Sequence, residues 1–485
     1  MSSYGSHTCP GVGRAVGAVA LICAVLGAST ARSAEPLTLT LDEAVELALE
    51  RNREIEIAEA GAEAARARLG QARSAFFPSI SASGSYTKLD EAPSMDTSQF
   101  GNLFEPLMDP FLYLVEQGYL DPSTLEGLQS TGGDGKIYLG DDDIYSIGLN
   151  VRQPLFTGGR ILSAHGAAKH AARAQEHRAA RTTDRVRYEA ASAYLGLLRA
   201  QAALEVMNDA VEEMESHLSD LRAMHEAGVL LEAELMRGRV RMSEVELSRN
   251  TARHRVDLAE ASLAFVLGRP PGQEIVTADL LESHAFPERG LDAWTELALK
   301  ERADLLAAEE MVAAADNGVT RARSGYFPSL VAMGSYMWDR PNREYEPEFY
   351  EHWSVTLALE MNIFDWGLTG NRVREARAGL TQAERGRDMT RDAVRLEVRQ
   401  AFLEREEALE GLAIAESSVE LAEESLRVTR ERFKSKQVTN SDVLSAQTAL
   451  TRARMNRLDA LARLRLAESG LVLATSVTVA EGDTR

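Results

Sequence analysis

A long internal duplication constrains the fold of this 485-residue chain more than any other feature. The matched segments are Leu41–Leu49 with Leu291–Leu299, Phe77–Ser79 with Phe327–Ser329, and Leu155–Phe156 with Ile363–Phe364. The first two pairs are 250 positions apart and the third is 208 apart, so the first copy holds 42 extra residues between Pro78 and Phe156. Two copies of one sequence pattern predict two copies of one structural unit.

Each copy contains two segments in which apolar and polar residues alternate, as in β-strands with one apolar face. The apolar members are Ile80, Ala82, Gly84 and Tyr86; Tyr145, Ile147, Leu149 and Val151; Leu330, Ala332, Gly334, Tyr336 and Trp338; and Trp353, Val355, Leu357, Leu359 and Met361. Such strands belong either to a half-buried soluble sheet or to a membrane barrel. Their length of about ten residues suits a tilted membrane strand, and aromatic residues near both ends resemble barrel girdles. These two features favour the barrel.

Four strands are too few to close such a barrel by themselves, because the smallest barrels have about eight. An open edge in lipid leaves backbone groups without hydrogen-bond partners, at a cost of several kcal/mol each. We therefore expect several chains to share one barrel. Three chains would supply twelve strands.

Two stretches without proline, from about Gly159 to His225 and from about Gly367 to Phe433, predict very long helices. Each would extend about 100 Å at 1.5 Å per residue. Their apolar residues recur at alternating spacings of four and three, the heptad pattern of coiled coils. One position of the second stripe holds a charge, Arg405, where the first copy has Leu197. The narrow stripe predicts an extended helical wall rather than a globular core.

Residues 1–34 have the features of a secretory signal peptide, because Arg14 precedes the apolar run Ala15–Ala28, which is short for a transmembrane helix. Cleavage is expected after Ala31, Ser33 or Ala34. The chain has two cysteines, Cys9 and Cys23, and both lie in this segment. We therefore expect a mature chain without disulfides, a catalytic cysteine or a thiolate metal site.

The formal net charge of −21 argues against a nucleic-acid partner, since phosphate binding depends on basic patches. The nine histidines include no pair three or four positions apart, the spacing that a helical metal site needs. We expect neither an enzyme nor a cofactor. A hypothesis from another class is a non-conducting periplasmic coiled-coil scaffold, but a scaffold has no need of paired amphipathic strands.

Together these features resemble the TolC-like outer-membrane efflux family, from Leu41 to about Val477. The resemblance rests on the duplicated helix-strand-strand-helix-helix units and on three sets of residues. These are the corners Phe76–Ser79 and Tyr326–Ser329, the strand ends Gln153–Phe156 and Asn362–Phe364, and the second hairpin tip Arg432–Gln447.

The resemblance implies a mainly α fold with a small β part. Long antiparallel coiled-coil helices and four transmembrane β-strands per chain would form a trimeric twelve-stranded barrel and an α-helical periplasmic tunnel. It also implies a homotrimer in the outer membrane, in contact with outer-membrane lipid and extending into the periplasm. A periplasmic adaptor (membrane fusion) protein and an inner-membrane pump would load it with drugs, metals or proteins for export.

The expected organisation has four parts. They are the signal peptide 1–34, a first repeat 35–270, a second repeat 271–477 and a C-terminal tail 478–485. The first repeat contains an outward-facing loop at about 88–143, in which Phe111–Val115 is a candidate short helix.

The resemblance also implies roles for the two hairpin tips. The expected adaptor-contacting residues are Gly228, Val229, Leu231, Lys436, Val438 and Thr439. The family's tip glycine is present only in the first copy and its threonine only in the second. The aperture carboxylates of the family fall on Glu234 and Asp442, and Arg237 and Arg432 are candidates to hold that ring closed. Alternatively, Asp442 caps the helix that follows the tip.

Overall fold

A computed structural model describes residues 37–96, 109–110, 112–119, 136–138, 142–270, 274–343 and 346–477. The expected signal peptide, the tail 478–485 and much of the loop at about 88–143 lie outside the described residues. Within that loop, residues 112–116 are helical, in the segment where a short helix was expected.

The described chain is mainly helical, as the sequence predicts. The longer helices are α1 (Leu41–Arg51), α2 (Arg53–Ser74), α3 (Arg160–Glu226), α4 (Glu232–Val266), α5 (Leu291–Glu301), α6 (Ala303–Arg323), α7 (Leu368–Lys434) and α8 (Asn440–Thr475). The helices α3 and α7 have 67 residues each, which corresponds to about 100 Å. None of the helices in the described ranges is long and apolar enough to cross a membrane.

The strands are β1 (Leu37–Leu39), β2 (Ser79–Lys88), β3 (Ser94–Asp96), β4 (Lys136–Tyr138), β5 (Asp143–Phe156), β6 (Ile275–Thr277), β7 (Ser329–Arg340) and β8 (Tyr350–Glu360). Four of them form an antiparallel sheet in the order β2-β5-β7-β8. These are the four strands that the alternating pattern predicts. The parallel pair β1–β6 and the antiparallel pair β3–β4 were not predicted.

The two long hairpins of this sheet have the same strand register. Ser79 pairs with Arg152 in the first hairpin, and Ser329 pairs with Glu360 in the second. Ser79 and Ser329 are 250 positions apart, and Arg152 and Glu360 are 208 apart, which are the two spacings between the sequence copies. The duplication therefore extends to individual backbone pairs.

The apolar face of the sheet is exposed in the single chain. Ile80 of β2 is 71% exposed, Ile147 of β5 is 53% exposed and Leu357 of β8 is 66% exposed. A sheet with one face on a soluble core would bury these side chains instead, because their burial is worth about 1.5–3 kcal/mol each. In the described sheet, β2 and β8 also form the two edges.

The chain divides into two compact units, each of which combines segments of both sequence copies. Of the described residues, one unit contains those up to Ile55, in Thr183–Thr295 and from Glu397 onward, and the other contains those in Glu56–Thr182 and Glu296–Leu396. The second unit holds the four-stranded sheet.

The core of the first unit is built on the predicted heptad stripes. In the first copy the buried stripe residues of this unit are Val186, Ala190, Leu197, Val211, Met214, Leu218 and Leu221, and in the second they are Val398, Ala401, Leu412, Ala415 and Leu426. Leu197 belongs to a cluster that includes Leu39 of β1 and Ile275 of β6. The short parallel pair β1–β6 thus packs on the stripe of the first copy.

Arg405, the charge in the second stripe, faces a second charge on the neighbouring helix. Its Nε lies 3.8 Å from Oε1 of Glu468 in α8, and the Glu468 side chain is only 5% exposed. The Arg405 guanidinium also lies 4.8 Å from the ring centroid of Phe286, and Nδ1 of His284 lies 3.5 Å from the other carboxylate oxygen of Glu468. Residues 284–286 therefore pack on α7 and α8 through charged and aromatic groups. The equivalent stripe position of the first copy, Leu197, has apolar neighbours instead.

Burial raises the pKa of Glu468 to about 7, and the charges of Arg405 and Arg465 only partly oppose this effect. Because the folded pKa lies above the ordinary value, this carboxyl group stabilises the fold most at low pH. That contribution is lost as the pH rises through about 7.

We predict that the thermal unfolding temperature of the protein falls between about pH 6 and about pH 8, and that Glu468→Gln reduces this fall. Glutamine resembles the protonated carboxyl group and does not titrate. Glu420→Gln, at an exposed position of α7, is the matched control and should keep the pH dependence of the parent. An unchanged pH dependence in Glu468→Gln would contradict the assignment.

Candidate aperture at the hairpin tips

The turns between α3 and α4 and between α7 and α8 form the two hairpin tips, and they have the same backbone conformation. Gly228 and Lys436 occupy equivalent positions and are both left-handed, with φ of +72° and +60°. In each turn the backbone N–H of the next residue donates to the carbonyl oxygen of the residue five positions earlier. Val229 donates to Met224 at 3.0 Å, and Gln437 donates to Arg432 at 2.9 Å. This is the Schellman ending of a helix, which favours glycine at the left-handed position.

The expected adaptor-contacting residues occupy these turns and the residues after them. Val229 and Leu231 are apolar and yet 56% and 75% exposed. Val438 is half-buried, and Thr439 is the N-cap residue of α8. The first tip therefore presents two exposed apolar side chains. Their contact with an adaptor stays a prediction.

Asp442 is the third helical residue of a capping box at the start of α8, in which Thr439 is the N-cap residue. One of its carboxylate oxygens accepts hydrogen bonds from the backbone N–H and from the hydroxyl of Thr439, both at 2.7 Å. The hydroxyl bond, followed by the backbone bond, lowers the pKa of Asp442. The Asp442 side chain is nevertheless exposed, so its charge remains accessible to solvent although it takes part in the capping box.

Glu234 is held by two neighbours on different helices. Arg237 of α4 donates to Oε1 of Glu234 at 2.7 Å, and the Asn440 amide at the start of α8 lies 3.3 Å from both Oε2 and the backbone oxygen of Glu234. Arg237 thus pairs with Glu234 within one helix, and its expected role in holding the ring closed stays a prediction. Arg432 is exposed and contacts neither acid in the described part of the chain.

A buried polar link joins the two hairpins behind Glu234. Nε2 of His217 in α3 donates to Oδ1 of Asn440 at 2.8 Å, while the Asn440 Nδ2 group faces Glu234. His217 and Asn440 are 7% and 2% exposed. Burial lowers the pKa of His217, and the hydrogen bond to Asn440 opposes this effect only in part. The link connects α3, α4 and α8.

Sequence reasoning missed His217 and Asn440, although a signal was present. Asn440, Val443, Gln447 and Leu450 follow alternating spacings of three and four and are all buried. Asn440 therefore starts the apolar stripe of α8, where a polar residue needs a buried partner.

A surface groove of about 770 Å³ lies beside this link, between α3, α7 and α8. Its lining is strongly charged, with four acids and three basic residues. They are Asp209, Glu212, Glu213, Asp220, Arg430, Lys434 and Arg454. Glu213 lies 3.6 Å from Arg430 and 3.8 Å from Arg454, so ion pairs connect the two hairpins along the groove. Within the described residues, no group of three or more His, Cys, Asp or Glu is arranged to hold a metal ion.

Comparison with known proteins places these features in a family context. A sequence model of the family described as outer membrane efflux protein matches residues 44–269 and 294–476. The proteases secretion protein PrtF of Dickeya chrysanthemi is 24% identical over 261 residues, which are 53% of this chain and 56% of PrtF. The chain thus matches little more than half of PrtF. The outer membrane efflux protein BepC of Brucella suis is 24% identical over 348 residues, which are 69% of this chain and 73% of BepC.

The fold also matches solved structures. A crystal structure of a membrane protein from Pseudomonas aeruginosa aligns with a TM-score of 0.71 at 19% identity and covers 90% of this chain and 93% of its own. At this identity the match concerns the fold alone.

We predict that Lys436→Gly raises the free energy of unfolding by up to about 1 kcal/mol. A side chain in the left-handed region costs about 1–2 kcal/mol, and the greater freedom of glycine in the unfolded chain cancels part of that gain. Thermal unfolding of the detergent-solubilised protein measures the change.

Gly228→Ala is the matched control for this prediction. No atom lies within 4 Å of a Cβ built at Gly228, so the substitution introduces backbone strain without a clash and should lower the stability. A Lys436→Gly protein less stable than the parent would show that the Lys436 side chain matters more than its backbone.

Proposed function

Because the chain belongs to the outer membrane efflux protein family, we propose that it is the subunit of an outer-membrane export channel. Three copies assemble into one twelve-stranded barrel, to which each contributes its four-stranded sheet, and their long helices form a periplasmic tunnel. The two hairpin tips lie at the periplasmic end of that tunnel.

The exposed apolar face of the four-stranded sheet is the observation that carries this proposal. Ile80, Val355 and Leu357 stand on that face, and each is at least 66% exposed. In lipid such a face is favourable, whereas in water it would be a liability for aggregation. The open edges at β2 and β8 require partners in a bilayer, and a second and a third copy supply them.

The helical part supports conduction rather than attachment alone. A wall of long helices joined by narrow stripes of small and branched apolar residues encloses space only when several copies close into a ring. A coiled-coil scaffold would explain the stripes but leaves the amphipathic strands without a role.

The proposed partners are a periplasmic adaptor, an inner-membrane pump and the lipid of the outer membrane. The exposed Val229 and Leu231 at the first tip suit an apolar contact with the adaptor. The name of PrtF concerns secretion of proteases and that of BepC concerns efflux. We propose a protein, a drug or a metal as the cargo of this chain, and the name of PrtF favours the first of these.

We further propose that Glu234 and Asp442 line the closed aperture. In a trimer they supply six carboxylates, which attract cations as acidic rings do in other pores. Arg237, bound to Glu234 at 2.7 Å, reduces the repulsion within the ring, and the exposed Arg432 is available to a neighbouring copy. Capping of α8 by Asp442 is compatible with this role because its side chain remains exposed.

We predict that the purified protein is a trimer in mild detergent and conducts ions in planar bilayers. Mass measurement and single-channel recording on the same sample test the proposal. An intact trimer that never conducts would favour the scaffold, and a conducting monomer or dimer would contradict the shared barrel.

We predict that the double variant Glu234→Gln with Asp442→Asn remains a trimer and loses part of the cation selectivity of the channel. The substitutions remove the charges of the proposed ring and largely preserve the shape of the side chains. Reversal potentials in a salt gradient measure the selectivity.

Glu232→Gln, which neutralises an exposed acid in the same turn of α4, is the control and should keep the selectivity. Unchanged selectivity in the double variant together with a lower unfolding temperature would mean that Asp442 acts only as a cap and that the gate lies elsewhere.

A further inference from the structure

A cluster of arginines borders the sheet at the end where β7 begins. Arg323 from the end of α6 and Arg374 and Arg377 from the first turns of α7 line one cavity of about 430 Å³ together with Tyr326 and Phe327. The two aromatic side chains are 53% and 56% exposed, and the three arginines are exposed as well. The cavity thus combines three cations with two aromatic rings at its edge.

These arginines lack acidic partners in the described part of the chain, although the protein carries 74 acidic residues. Arg374 donates to the neutral amide of Asn371 at 3.1 Å. Elsewhere in the same unit, arginines pair with nearby acids, as Arg66 does with Glu176 at 2.7 Å and Arg391 with Glu309 at 3.5 Å. A concentration of uncompensated positive charge in so acidic a chain points to an anionic ligand.

The first sequence copy repeats part of this pattern, with Gly166 at the position equivalent to Arg374. Positions equivalent to Arg323 and Arg377 hold Arg73 and Lys169, and the equivalents of Tyr326 and Phe327 are Phe76 and Phe77. The ring of Phe76 lies 5.6 Å from that of His165, at the start of α3. The first copy therefore keeps both aromatic positions and two of the three basic positions in its sequence.

We propose that this cavity binds the phosphate of an anionic phospholipid headgroup in the periplasmic leaflet of the outer membrane. The inference rests on the proposed function, which places this end of the sheet, opposite the long loop after β2, at the periplasmic side. Aromatic rings at that depth occupy the interface between acyl chains and headgroups. Guanidinium groups just beyond them reach the phosphate layer and bind its oxygens in paired hydrogen bonds.

Each part of the proposed lipid has its own contact in the cavity. Tyr326 and Phe327 contact the glycerol and upper acyl region, and the arginines of α6 and α7 neutralise the phosphate. A bound lipid therefore joins α6 to α7 at the point where both meet the sheet. Inorganic phosphate would satisfy the arginines but leave the aromatic pair without a partner.

The test is lipid binding by the detergent-solubilised trimer, counted by native mass spectrometry. The probes are phosphatidylglycerol and the zwitterionic phosphatidylethanolamine with the same acyl chains. We expect the protein to prefer phosphatidylglycerol. The triple variant Arg323→Gln, Arg374→Gln and Arg377→Gln should lower its affinity about tenfold or more, because each basic residue near a headgroup contributes a factor of about five.

Two further variants make the result specific. Arg239→Gln, Arg253→Gln and Arg255→Gln remove the same charge from exposed positions of α4 and should leave the preference intact. Replacing the three cavity arginines by lysine retains the charge without the paired hydrogen bonds and should keep part of the preference. If the α4 variant lost as much affinity for phosphatidylglycerol as the cavity variant, the preference would depend on net charge alone, and the proposed site would be overturned.

Trimer mass and conductance are recorded on the same preparations. A conducting trimer that binds both lipids equally would overturn the lipid site and leave the channel proposal standing. A protein that neither assembles nor conducts would instead reject the channel. Dissociation of the glutamine variant into single chains, with no change in lipid preference, would assign the arginines to contacts between copies and also overturn the site.

Discussion

Hydrogen bonding at the edges of the four-stranded sheet is the constraint on which the proposed architecture depends. Within one chain, β5 and β7 have partners on both sides, whereas β2 and β8 have a partner on one side only. Unpaired backbone groups cost several kcal/mol each in lipid, and the apolar face of the sheet is unfavourable in water. A single chain with this sheet is therefore unfavourable both in lipid, because of its edges, and in water, because of its apolar face. Assembly with further copies removes both costs at once.

Charged groups join the helices at the places where the apolar stripes are interrupted. Arg405 breaks the stripe of α7 and Glu468 breaks that of α8, and the two lie within 3.8 Å of each other. Asn440 breaks the stripe of α8 near the tip and binds His217. Breaking a buried pair of this kind leaves an uncompensated polar group, which costs more than the pair contributes. We therefore expect these interruptions to define the register between helices more than to add stability.

The sequence predicts the repetitive parts of this fold and misses the contacts between parts distant in sequence. Strands and long helices follow from periodicities of two and of three to four, which are local properties. The parallel pair β1–β6 joins Leu37 to Ile275 through strands of three residues, too short for any period to be detected. At the tip, the resemblance predicts Glu234 and Asp442 as aperture residues, and Arg237 and Arg432 are the arginines expected near them. Asn440 and Glu468 lie on α8, and the stripes of α3 and α7 do not indicate them, so the sequence predicts the charge of Arg405 without its partner.

Differences between the two copies indicate where identical units meet different surroundings. Gly158 and Trp366 are equivalent and both left-handed, with φ of +59° and +51°. At Gly158 a Cβ would lie 2.6 Å from the Cβ of Phe327, so this position excludes every side chain. Trp366 is 89% exposed and retains the strained backbone with a large aromatic group. The two copies therefore share the backbone conformation that the duplication gave them, whereas the side chain at this position depends on its surroundings. Gly158 is packed against protein. In the proposed assembly Trp366 faces the membrane interface, where tryptophan is favoured.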